Sequence, residues 1–292
     1  MRVVENMKIR NTKIRYMLMG AVLLFSLLLP CAATYADILL MPPFVTFKDR
    51  ERMQDIMVLN TGKKTGTFRM SWVHNRQNPD GSYMAQPTPV NPAFDPQTMI
   101  VFSPKQVTLP PGERQRIRMS LRRPPDLPEG DYHGHMQLLR VSQDQGRANK
   151  AQVANGASTV LDMRVGFAIP VSVRHGTSDA TVTISDPLFI PADTNPTARD
   201  KRGRLQVQLS RTGKFGTFGR LRAYWTPAGG GEEKEVGALN YVNIYPETER
   251  RSARIILKPD VQISGGKVRV VYEGDGIDKG KVFDEKTFPI GG

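Results

Sequence analysis

Two histidines set two positions apart, His133 and His135, are the most metal-like pair in this 292-residue sequence. On a strand they share one face, a spacing that copper or zinc can use, with Met136 and Met163 available as soft ligands. Such pairs on strands are more often ordinary polar positions, and no metal is expected. Nucleophilic chemistry has less to work with. There is no G-x-S-x-G elbow, the single cysteine is Cys31, and the histidines number four, so neither catalytic residues nor a cofactor are expected. The run "EGDGIDKG", residues 273–280, lacks the ligand register and terminal Glu of a calcium loop and reads as a hairpin turn. More informative is "ERQRIRMSLRR", residues 113–123. There Arg114, Arg116, Arg118 and Arg122 fall on one strand face, and Ile117, Met119 and Leu121 on the other. Guanidinium forks suit carboxylates and phosphates, so this stripe can grip a chain terminus or an acidic lipid. The plainer reading is a solvated sheet face with acids on neighbouring strands.

The elements that must carry these residues are strands. Short period-two segments punctuated by Pro, Gly, Asn and Asp recur throughout, with no sustained 3.6-residue pattern after the leader. "DIMVLN", "TFRMSWVH", "MIVFS", "QVTL", "RQRIRMSL", "HMQLLRV" and "TVLDMRVGFAIPVSVRHG" make seven strands of a first sandwich. "ATVTIS", "RLQVQLS", "FGRLRAYW", "RSARIILK", "KVRVVYEG" and "KTFPI" make a second, joined through "RHGTSD". Residues 78–96, with five prolines, read as irregular because proline removes a ladder donor. Residues 142–158 and 191–203 read as long polar loops.

Before the strands come Arg2, Lys8, Arg10, Lys13 and Arg15, an apolar run, and the small-residue exit "CAATYAD". Together they read as an export signal cleaved after Ala36, with periplasmic delivery and no stable membrane insertion afterwards. The mature chain of 292 − 36 = 256 residues then has no cysteine and must rely on a hydrophobic core. Its net charge is 13 − 4 = +9, which suits anionic lipid or an acidic partner; export argues against nucleic acid. The division is 1–36 signal, 37–174 first domain and 175–292 second domain.

The run "VFSPKQVTLPPGERQRIRMSL" followed by "DLPEGDYHGHMQLLRV" resembles the N-terminal domain of periplasmic chaperones of the chaperone-usher pilus pathway. "FVTFKDRERMQDIMVLNTG" before it is similar to that family's first two strands, ending in Asn60. "IPVSVRHG" after it is similar to the last strand of domain one, ending in Arg174. The resemblance implies an all-β protein of two immunoglobulin-like β-sandwich domains set at an angle. It further implies that the last strand of domain one completes an unfinished pilus subunit by strand addition, before delivery to an outer-membrane usher. On that implication Leu161, Met163, Val165 and Phe167 are the donor residues. Period two alone leaves open that they face their own core, and a free chaperone can self-associate to hide such an edge.

The sequence departs from the family pattern where a subunit carboxylate would be held. The positions of the family's anchoring basic residues fall at Phe44 and Pro170, so the chain is similar to the alternative or archaic branch. Arg118, with Arg116 and Arg174, is the candidate replacement anchor. Tyr132 stands where an inter-domain Glu is expected, which leaves Arg174 without that partner. A different class of function also fits, a secreted two-domain adhesion or carbohydrate-binding protein. It calls for exposed aromatic platforms, yet Trp72 and Trp225 lie within apparent core strands.

Overall fold

The computed structural model describes residues 38–48, 50–141, 166–192, 202–259, 261 and 263–291. The leader, residues 142–158, most of residues 191–203, and Leu161, Met163 and Val165 lie outside the described residues. The strands are β1 (Ile38–Met41), β2 (Val45–Phe47), β3 (Met53–Asn60), β4 (Gly66–Gln77), β5 (Tyr83–Gln86), β6 (Ile100–Ser103), β7 (Gln106–Leu109), β8 (Arg114–Leu121), β9 (Gly130–Val141), β10 (Gly166–His175), β11 (Thr181–Ile190), β12 (Arg204–Thr212), β13 (Thr217–Thr226), β14 (Lys234–Ile244), β15 (Arg250–Ile256), β16 (Gly266–Gly274) and β17 (Val282–Ile290).

The first ten strands form two sheets, ordered β1-β3-β8-β6 and β2-β10-β9-β4-β5, with β7 pairing β4. This is the immunoglobulin arrangement in which the first strand is shared between sheets. Pro42 and Pro43 cause the switch. Without their N–H groups the chain leaves β3 after Met41 and re-enters as β2, parallel to β10. Alternation then fills one core: Ile56 and Val58 from β3, Ile117, Met119 and Leu121 from β8, Met136 and Leu138 from β9, and Val171 and Val173 from β10. Trp72 packs against that core. Tyr132 is buried in it and donates its hydroxyl to the Pro128 carbonyl at 2.8 Å, a tyrosine corner that raises its pKa through burial.

Asn60 explains why β3 ends where it does. Its side-chain amide donates to the Lys64 and Leu109 carbonyls at 2.9 and 2.8 Å, and its Oδ1 accepts from the Gly62 N–H at 2.9 Å. Its own carbonyl accepts from Gly112, which turns at φ 76°. The "TLPPGE" turn is therefore tied to the end of β3.

The second sandwich packs β11-β12-β15 on β14-β13-β16-β17. Its core includes Val207, Leu209, Leu221, Ala223, Val242, Ile255, Val270 and Tyr272, with Trp225 packed against it. Residues 78–96 are less irregular than the prolines suggest. They hold β5, paired to β4 by its main chain, and two short 3-10 turns, Pro92–Phe94 and Pro96–Thr98, each begun by the proline that preset its backbone.

Candidate functional site: the edge of the tenth strand and the contact between the sandwiches

Strand β10 carries one row of apolar side chains that changes environment along its length. Val173 and Val171 are fully buried and Ile169 nearly so, in the core of their own sandwich. Phe167 continues the same row, opposite buried Leu138, yet is 36 % exposed. The edge changes before that point, while the row is still buried at Ile169. β2 covers β10 only across Val171, Ser172 and Val173. Among the described residues, no strand pairs with that edge from Gly166 to Pro170. The row therefore leaves its core within the stretch of β10 that no described strand pairs. Leu161, Met163 and Val165 precede this point, outside the described residues.

Arg116 and Arg118 stand together, apart from Arg174. Arg116 and Arg118 project from the outer face of the first sheet, 3.5 and 3.4 Å from the two oxygens of a single acid, Asp55. Both side chains are more than half exposed, so these pairs contribute little to stability.

Arg174 is buried. Its Nη1 donates to Asp278 at 2.6 Å, and its Nη2 donates to Asp131 at 3.1 Å and to the Gly216 carbonyl at 3.0 Å. The expectation that Tyr132 leaves Arg174 unpartnered is corrected. The acid is Asp131, one residue earlier, because Tyr132 faces the core and Asp131 faces the second sandwich. The other carboxylate, Asp278, comes from the turn read as a plain hairpin. It also accepts from the Phe218 N–H at 3.1 Å. Burial opposes the Arg174 charge, but Asp131 and Asp278 more than offset it and raise its pKa.

His133 and His135 sit at the same contact. The His133 ring stacks on Tyr245 with centroids 3.9 Å apart, and its Nε2 lies 2.9 Å from Glu247. His135 is held edge-on to Tyr245. Burial, with help from His133 and against Glu247, lowers its pKa to about 4. Among the described residues, no three His, Cys, Asp or Glu groups gather to hold a metal. Nearby, Asn243 accepts from Gln77 at 3.0 Å and from Arg251 at 2.8 Å, and donates to the Tyr83 hydroxyl at 2.8 Å. Sequence reasoning missed Asp131, Asp278 and Asn243 as joining residues. Asp131 had a signal, an acid on the strand paired with Arg174. The other two had none, since their partners in the first sandwich are over 100 positions away.

No protein-family model matches the sequence, and no curated protein does. In backbone, the chain is similar to solved fimbrial chaperones. The Class 5 fimbriae chaperone CfaA is 15 % identical with a TM-score of 0.42, over 86 % of this chain and 98 % of that one. The E. coli chaperone DraB is 14 % identical with a TM-score of 0.42, over 87 % and 98 %. A chain from the complex of the Salmonella enterica SafA pilin with the SafB chaperone is 13 % identical with a TM-score of 0.42, over 89 % and 99 %.

Proposed function

We propose that this protein is a periplasmic, non-enzymatic chaperone of pilus assembly. It lends β10 and the residues before it to an incomplete pilus subunit, keeps that subunit from aggregating, and passes it to an outer-membrane usher. The observation that carries this reading is the behaviour of β10. Its apolar row runs out of its own core at Phe167, on an edge that no described strand pairs, and in sequence it continues as Val165, Met163 and Leu161. The "TLPPGE" and "IPVSVRHG" resemblances point the same way.

Burying four such side chains in a subunit groove is worth roughly 6–12 kcal/mol gross, before ordering and association costs. No nucleotide or cofactor is needed, because a better-fitting strand can displace β10. Arg174 serves as a strut between the sandwiches. Arg116 and Arg118 face away from the β10 edge, and we assign them acidic side chains of a partner rather than the chain end. If Arg118→Glu leaves complex affinity unchanged, that assignment fails.

The deciding experiment is co-expression with candidate pilus subunits and capture of the complex. Phe167→Asp and Met163→Asp are expected to abolish capture while the free chain keeps its wild-type melting temperature, because a charge would enter a face buried only in the complex. Unfolding of the free variants would place the row in the protein's own core and overturn the reading.

A further inference from the structure

The part of the β10 edge that no described strand covers has a definite end. β2 begins at Val45, opposite Val171, and runs parallel to β10. A strand laid alongside Gly166–Pro170 in the same direction as β2 would bring its carboxyl end up against Phe44, the residue just before β2. Val45 and Phe47 face the core, so Phe44 faces outward, toward the second sandwich. There its ring meets Phe218 at 4.5 Å and Tyr241 at 6.1 Å, with Phe218 and Tyr241 6.4 Å apart. The adjoining crevice is lined by Phe44, Pro170, Ser172, Arg174 and Phe218.

Tyr241 is the unusual member. Its backbone lies in the left-handed region at φ 57°, which L side chains rarely adopt, and the residue is 57 % exposed. The strain comes from a bulge: Gly219 pairs Val242 and Leu221 pairs Leu239, so Asn240 and Tyr241 both stand opposite Arg220. Strain retained at an exposed aromatic residue beside a crevice points to a contact made there.

The charge of the crevice selects the kind of end it can take. Both Nη atoms of Arg174 are occupied by Asp131, Asp278 and Gly216, and only its buried Nε lacks an acceptor. One such donor can serve a terminal carbonyl oxygen whether the end is a carboxylate or an amide. Phe44 and Pro170 stand where the family resemblance would place cations.

We propose that Phe44, Phe218 and Tyr241 form a seat for a large apolar or aromatic side chain at the carboxyl end of a strand laid along β10, so that the end is recognised by its side chain and not by its charge. This rests on the strand-lending function above. The test measures binding of short synthetic peptides of alternating valine and serine, differing only in a last residue of Phe or Ser, each as free acid and amide.

The Phe-ended peptides are expected to bind about ten-fold more tightly, with the acid and amide forms alike. Phe44→Ala and Tyr241→Gly should erase that preference while Ser-ended peptides bind as before. Tyr241→Gly should melt no lower than wild type, since glycine tolerates the left-handed backbone. Equal binding of Phe and Ser ends, or loss of binding on amidation, overturns the seat alone. Failure of every peptide to bind overturns strand lending, and the seat with it.

Discussion

At the residue scale, the buried charges are the best-defined features. Arg174, Asp131 and Asp278 are each more than nine-tenths buried, and each charge is held by another. Removing one partner leaves a charge uncompensated in a poorly polarisable setting. Asp278→Asn is expected to lower unfolding free energy by about 3 kcal/mol, read from the urea midpoint at unchanged slope. His135 makes a prediction in pH. Its folded pKa is about 4 against an ordinary 6.5, so as pH falls the unfolded chain takes up that proton first. Stability is full above pH 6.5 and drains as pH falls toward 4, by at most about 3 kcal/mol. Thermal melts across that window should show the loss, and His135→Gln should flatten it. The sequence shows both histidines and their shared face, but their neighbours Tyr245 and Glu247 come from the other sandwich.

At the element scale, legibility follows regularity. β8 alternates from Arg116 to Leu121, where Ile117, Met119 and Leu121 are buried and Arg116 and Arg118 exposed as the alternation predicts, while Arg122 lies past the strand's end. β14 escapes that reading because its bulge at Asn240 and Tyr241 breaks the period, so its inward side chains do not alternate. β1 and β5 escape it by position, β1 directly after the leader and β5 inside the proline-rich stretch of residues 78–96. A strand's end can matter as much as its body. Asn60→Ala removes three buried or half-buried hydrogen bonds, two that close the β3–β4 loop and one that joins β3 to Leu109 at the end of β7. It is expected to lower stability by about 2–3 kcal/mol, measurable by denaturant unfolding. By contrast, the Phe167→Asp change on β10 should leave the melting temperature alone, because the strand is anchored by Ile169, Val171 and Val173.

At the scale of the whole molecule, polar contacts couple the two sandwiches. Asn243 alone bonds to Gln77 and Tyr83 of the first and Arg251 of the second. Asn243→Ala is expected to uncouple them, so that calorimetry resolves two transitions where the wild type shows one. By itself, the sequence determined the all-β character, the regular strands and their core faces. Those properties are local, written in the alternation of neighbouring residues. Only the tertiary structure decided that Arg174 is a strut and that the apolar row of β10 leaves its core at Phe167. It alone brings Phe44 against Phe218 and Tyr241. Each depends on which distant segment lies across from a residue, and periodicity along one strand carries no information about that.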